Sequence, residues 1–209
     1  MIIILAVIII DQVSKIWVKT HFYLGEELVI FPWFRLLFIE NNGMAFGMEL
    51  GSKLFLTLFR LCMAAALIWY IWKLRCNDNV RRGYIVCISL IVAGAIGNII
   101  DCVSYGLIFN NPFPPQVATL FPLEGGYETL FHGRVVDMLY FPLFSFVWPE
   151  WMPWVGGTEF EFFKPIFNIA DAAITVGILA LIIFYRREIA SPSALESVEN
   201  EAENESEQE

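Results

Sequence analysis

Three aspartates in apolar surroundings could do chemistry in this chain: Asp101 closing GAIGNIID, Asp137 within RVVDMLYF and Asp171 within FNIADAAIT. A carboxylate inside an apolar segment costs several kcal/mol unless it is paired, hydrated or used. Asn98 and Asp101 are spaced i,i+3, and Asn168, Asp171 and Thr175 are spaced i,i+3 and i,i+4, so each set shares a helix face. Asp137 lies in a strand-like stretch on the same side of the membrane as Asp171, so two carboxylates can meet. Two acids in one site do not both ionise readily; one keeps a proton while the other acts as base on a bound water. That is the chemistry of an aspartate-dependent hydrolase. The same acids suit a small proton-coupled transporter, and a non-catalytic membrane scaffold is a third reading that the residues leave open.

Other constellations are poorer. His21 and His132 stand in different segments without an i,i+4 partner, and Cys62, Cys76, Cys87 and Cys102 show no C-x-x-C spacing, so neither a metal site nor a disulfide framework is expected. Asp11, Lys15 and Lys19 repeat at i,i+4 with the acid N-terminal to the bases, which makes a ladder on one face of the first helix.

The elements that must position these residues are membrane helices. Of 209 residues, 57% are hydrophobic and 17% charged, against roughly 25% charged in a soluble domain. Four stretches, about 1–20, 54–72, 84–105 and 165–185, approach the roughly 20 apolar residues that a helix needs to cross a bilayer. The opening MIIILAVIII lacks a basic flank and a small-x-small cleavage site and reads as a retained helix. Lys73, Arg75, Arg81 and Arg82, and then Arg186 and Arg187, mark cytoplasmic ends. Both termini are therefore inside, with segments 21–53 and 106–164 outside. Asp171, six residues beyond Pro165, would lie about 9 Å below the outer interface at the helical rise per residue.

Residues 28–39 and 134–141 are rich in β-branched and aromatic side chains and read as strands of a small external sheet. Residues 107–133 and 142–164, rich in Pro, Gly and aromatics, read as loops with an aromatic belt. The fold class expected is an all-α integral membrane protein of four transmembrane helices with a small periplasmic β element. One domain, 1–190, is followed by an acidic tail, 191–209, expected to be disordered. There are 13 Lys+Arg against 22 Asp+Glu, and seven of the acids are the Glu residues from Glu196 to Glu209. Without a basic face the chain is not a nucleic-acid binder.

Five ordered segments, DQVSK (11–15), NNGMAFG (41–47), GAIGNIID (94–101), GRVVD (133–137) and FNIAD (167–171), resemble the motifs of the lipoprotein signal peptidases, the signal peptidase II family. The resemblance covers residues 1 to about 187. It implies an aspartyl endopeptidase of the bacterial inner membrane, with its site at the periplasmic face, that cuts the signal peptide from a prolipoprotein before the diacylglyceryl-bearing cysteine. Asp137 and Asp171 match the catalytic dyad. Asn41, Gly94, Asn98, Asp101, Asn168 and Ala170 match positions around the substrate pocket, and Asp11 and Lys15 the first-helix motif; these eight are the implied substrate-binding positions. The implied partners are the diacylglyceryl-prolipoprotein and membrane lipids, with no cofactor and no obligatory protein partner. The external sheet corresponds to a cradle with a mobile segment over the site.

Two departures stand out. Many members carry Arg where this chain has Cys102, and Arg134 is the candidate substitute. The 35 residues 102–136 exceed the short connection of compact members, which suits either an enlarged lid or extra aromatic contacts to lipid. The Lys/Arg bias predicts that a reporter fused after residue 78 behaves as cytoplasmic and one inserted near residue 125 as external; the opposite pair of results in a topology assay would remove the peptidase reading.

Overall fold

The computed structural model describes residues 2–42, 53–75 and 80–190. In chain order these form α1 (Ile2–His21), β1 (Glu27–Phe31), β2 (Phe34–Asn41), α2 (Lys53–Arg75) and α3 (Arg82–Ile100). A π-helical turn (Asp101–Tyr105) continues α3 into the short α4 (Gly106–Ile108). Then come β3 (Val135–Tyr140), β4 (Phe144–Val147), β5 (Glu159–Phe162), β6 (Ile166–Phe167), α5 (Ile169–Phe184) and α6 (Arg186–Ala190). The second motif from Gly43 to Gly47 and the 191–209 tail lie outside the described residues. Packing divides the described residues into two compact units: one from 2–9, 58–75, 80–99 and 170–190, the other from 10–42, 53–57 and 100–169.

In the helical unit, Ile71 and Leu74 of α2 pack with Tyr84, Ile88 and Val92 of α3, with Ile4, Leu181 and Tyr185 against them. Membrane helices gain little hydrophobic drive from lipid, so close van der Waals contact between small residues must hold them. Gly94 is such a contact, because a Cβ there would run into the carbonyl oxygen of Ala170 in α5. Gly177 repeats the device from the α5 side, where an added Cβ would lie 2.8 Å from the Cys87 carbonyl oxygen.

In the other unit a four-stranded sheet runs in the order β1-β2-β3-β6, each neighbouring pair antiparallel. Val135 to Met138 of β3 are all buried. Strand alternation sends Val136 and Met138 to one face, where they join Val18 from α1, Phe22 just after it, Phe38 from β2, and Tyr105 and Phe109. Val135 and Asp137 point the other way. The β2–β3 register sets Asn41 opposite Val135 and Ile39 opposite Asp137.

Several expectations change. The 28–39 stretch is two strands around a turn at Pro32-Trp33. Residues 142–164 are not only loops, since β4 and β5 form a second antiparallel sheet; the alternation FSFV and EFEF is the period-two signal. The described residues hold six strands in two sheets, so all-α describes only part of the fold. Among the described residues two helices, Lys53–Leu74 and Arg82–Ile108, are long and apolar enough to cross a membrane. At 16 residues α5 is shorter, and α1 buries three charged side chains, Asp11, Lys15 and Lys19. The fourth helix does not start at Pro165: Ile166 and Phe167 pair with β3, and Asp171 falls in the first turn of α5. Asn168 stands just before that turn, where Asn is a favoured cap, so the 9 Å depth does not hold.

Gly94→Ala is predicted to lower stability by about 1–3 kcal/mol because backbone must shift. Gly83→Ala, whose Cβ would meet only the far end of the Tyr185 side chain, should be nearly neutral. Thermal unfolding of both variants in detergent checks the contrast.

Candidate active site

Asp137 is 2% exposed and is held by two side-chain amides. Asn168 Nδ2 donates to its Oδ1 at 2.7 Å, and Asn41 Nδ2 donates to its Oδ2 at 3.3 Å. Asn168 also donates to the Val136 carbonyl oxygen at 3.2 Å. The sheet makes this arrangement. Pairing of Leu139 with Phe167 and of Tyr140 with Ile166 brings β6, and Asn168 directly after it, alongside β3, while β2 supplies Asn41 from the opposite edge.

Behind β3 lies a buried ionic network. Lys15 Nζ is 2.9 Å from Asp11 Oδ2 and 2.8 Å from Asp101 Oδ2, and all three side chains have no exposed surface. Gln12 Nε2 donates to Asp101 Oδ1 at 2.9 Å and to Asp11 Oδ2 at 3.1 Å, and the Tyr105 hydroxyl donates to Gln12 Oε1 at 3.2 Å. One ammonium between two carboxylates leaves an excess negative charge, which these neutral donors stabilise. The Val136 N–H donates to Asp101 Oδ2 at 3.3 Å. The network thus grips the backbone one residue before Asp137. Gly133 completes the grip: its N–H donates to the Cys102 carbonyl oxygen at 2.8 Å, and a Cβ there would collide with the Asp101 carbonyl oxygen. That is why the GRVVD segment begins with glycine.

A second ionic group flanks the first. Lys19 pairs with Glu40, and Glu40 Oε2 accepts from Arg134 Nη1 at 2.9 Å. The Lys19 ammonium stands 5.2 Å from the ring centres of Phe109 and Tyr127. The ladder of the first helix therefore splits, with Lys15 serving Asp11 and Asp101 while Lys19 reaches the sheet. Arg134 is committed to Glu40 and to the Tyr127 ring, 5.0 Å away. The Arg134 N–H donates to the Tyr127 hydroxyl at 2.7 Å, which burial pushes above its ordinary pKa, so this acceptor stays neutral. Cys102 is buried at 1% exposure.

The helical unit holds the other carboxylate. Asn98 Nδ2 donates to Asp171 Oδ1 at 2.7 Å, and the Thr175 hydroxyl donates to the Asp171 carbonyl oxygen at 2.8 Å. Asp171 lies in the first turn of α5, where free N–H groups stabilise negative charge. The contact of Gly94 with Ala170 brings α3 close enough for Asn98, one turn further along, to reach the residue after Ala170. Asn98 and Asp101 nevertheless serve different partners: Asn98 bonds Asp171, and Asp101, where the π-helical turn begins, meets Lys15 and Gln12.

The residues singled out from sequence thus fall into three groups: Asp11, Lys15 and Asp101; Asn41, Asp137 and Asn168; and Gly94, Ala170, Asn98 and Asp171. Gln12, Glu40, Tyr105 and Tyr127 were not among them. Glu40 carried a readable signal, a carboxylate ending the apolar run LLFI; the other three carried none beyond their neighbours.

Two solved structures share this architecture. Both are bacterial membrane enzymes determined by the in meso method, at 2.3 Å and 1.9 Å resolution. They match with TM-scores of 0.59 and 0.58 at 26% and 27% identity, each over 87% of this chain and over 84% and 88% of the other. The fold is that of a membrane enzyme. A family profile for signal peptidase (SPase) II matches residues 3–186, and the chain belongs to that family of proteases. The lipoprotein signal peptidase of Porphyromonas gingivalis is 51% identical over 187 residues, 90% of this chain and 82% of that protein. That of Amoebophilus asiaticus is 36% identical over 195 residues, 90% of this chain and 78% of its own.

Removing Lys15 would leave buried carboxylates uncompensated, so Lys15→Met is predicted to cost about 3–5 kcal/mol. Adding Asp101→Asn should recover part of that loss, a coupling that a double-mutant cycle on thermal unfolding reads directly.

Proposed function

We propose that the chain is an aspartic endopeptidase that removes the signal peptide from diacylglyceryl-modified prolipoproteins, cutting before the lipidated cysteine. Asp137 and Asp171 form its catalytic dyad. The observation that carries this reading is that both motif aspartates are oriented by asparagine amides, while Asn168 and Asp171 stand three residues apart in the chain. One carboxylate takes a proton from water as the oxygen attacks the scissile carbonyl. The other donates a proton toward the carbonyl oxygen, and the roles reverse as the amine departs. The reaction is non-covalent and needs no metal or organic cofactor.

The remaining motif residues take supporting roles. Asn41, Asn98 and Asn168 aim the carboxylates, and Gly94 and Ala170 let α3 and α5 approach. Asp11, Lys15 and Asp101 position β3 through Val136. The diacylglyceryl group lies among lipids beside the helices, so membrane lipids and the prolipoprotein are the partners, with no obligatory protein partner. The chain crosses the bacterial inner membrane four times with both termini cytoplasmic and the dyad at the periplasmic face. Family membership leaves the proton-coupled transporter without support.

Asp137→Asn and Asp171→Asn are near-isosteric and should each leave an inserted protein that binds diacylated prolipoprotein. Each should lose about 10² to 10⁴-fold in cleavage rate, the usual contribution of one acid/base group. Glu124→Gln and Glu128→Gln, outside the motifs, should change the rate little. A purified assay that finds either Asp→Asn variant within about tenfold of the parent would sink the dyad.

A further inference from the structure

The β4–β5 sheet carries an aromatic face and a more polar face, both largely exposed. Phe144 stacks on Phe162 with ring centres 4.8 Å apart, and Phe146 meets Phe160 at 5.1 Å, so four phenylalanines share one face. They stay 36–52% exposed. The opposite face carries Ser145, Val147, Glu159 and Glu161. From that face Ser145, Glu159 and Glu161 line a cleft of about 460 Å³, whose other wall includes Glu27, Arg35 and Tyr140 of the larger sheet. Of the phenylalanine face only Phe144, at the base of the hairpin, borders this cleft. The Tyr140 hydroxyl donates to Glu161 across it, and Arg35 pairs with Glu27 at 2.7 Å. The polar face borders this cleft with Glu161 half-buried and Ser145, Val147 and Glu159 exposed, and the aromatic face looks out on the other side.

The tip extends the pattern. Trp148 N–H donates to the Thr158 carbonyl oxygen at 3.0 Å, and Gly157 N–H to the Trp148 carbonyl oxygen at 2.9 Å, closing residues 148–158 into a bonded turn. On it Trp151 is 79% exposed and Trp154 fully exposed. Trp154 takes φ +68°, a strained region for a non-glycine residue. A strained, hydrogen-bonded turn that projects indoles outward is a built feature rather than a loose loop.

We infer that this hairpin is a lipid anchor, with its phenylalanine face and Trp151 and Trp154 seated at the headgroup–acyl boundary of the membrane. An exposed face of four phenylalanines backed by an exposed polar one suits a lipid surface with water on its far side, and Trp rings favour the depth where one edge stays wet. The position is right: β5 ends seven residues before α5 begins, so the chain holds the base within about 25 Å of the start of an apolar helix. Charge does not supply the attraction, since residues 142–163 contain Glu150, Glu159 and Glu161 and no Lys or Arg. The inference rests on the chain being a membrane enzyme and stands whether or not the peptidase reading does.

The test uses the full chain reconstituted in phosphatidylcholine vesicles, plain or brominated near the top of the acyl chains. Trp151→Phe/Trp154→Phe keeps the tip apolar while removing its fluorescence, so the emission missing from that variant reports the two indoles. The expected result is that this emission is lost on brominated lipid and unaffected by iodide in the aqueous phase. Quenching by iodide instead of bromine would overturn the anchor. So would resistance to both in a chain that cross-links as a dimer, which would make the face an interface between two copies. Cleavage is not read in this experiment, so its outcome is independent of the dyad.

Discussion

The ammonium of Lys15, set between the carboxylates of Asp11 and Asp101 with no exposed surface, is the interaction on which the sheet unit depends. Taking such charges out of water costs several kcal/mol per ion, and mutual attraction repays this only when the remaining lone pairs are also satisfied. Here they are engaged by the Gln12 amide and the Val136 N–H. The second of these donors is structural in its effect. It ties a helix-borne charge to the strand that carries Asp137, so the depth and rotation of β3 are fixed by an electrostatic clamp as well as by Val136 and Met138 in the apolar cluster. An apolar substitute could match the packing, yet it would leave the buried Val136 N–H without its acceptor, at a cost of about 1–3 kcal/mol.

One continuous helical run serves two purposes. Up to Ile99 the residues of α3 belong to the helical unit, and from Ile100 the chain belongs to the sheet unit. Within the first Asn98 bonds Asp171; within the second Asp101, at the start of the π-helical turn, meets Lys15 and Gln12. Gly133 then fits against the same turn with no side chain of its own. Such turns concentrate at functional sites because they re-aim side chains without ending the helix.

This is also where the sequence was least legible. The aspartates announced themselves by sitting in apolar runs, and the strands at 28–39 and 134–141 by their β-branched and aromatic content. The π-helical turn at Asp101–Tyr105 has no local signature, since DCVSY is an ordinary helical sequence. The start of α5 was misplaced for a related reason: an apolar run from Pro165 cannot show by composition that its first residues bond to β3. Lys19 was assigned to its own helix because i,i+4 spacing is visible in one dimension, whereas Glu40 comes from a strand 21 residues away. Long-range electrostatic partners are set by topology, and no single-segment pattern encodes them.

The type of partner also separates the carboxylates by role. Asp11, Asp101 and Glu40 face cations, Lys15 for the first two and Lys19 with Arg134 for the third. A cation at ion-pair distance makes a strong, charge-assisted contact, which suits a clamp. Asp137 and Asp171 are oriented by asparagine amides. An amide N–H fixes the direction of a carboxylate oxygen without itself carrying a charge. In the proposed reading, in which both aspartates exchange protons, a fixed direction is what these groups need. The buried cations Lys15 and Lys19 thus hold the frame, and asparagine amides aim the two aspartates, the division of labour that the proposed proton transfers call for.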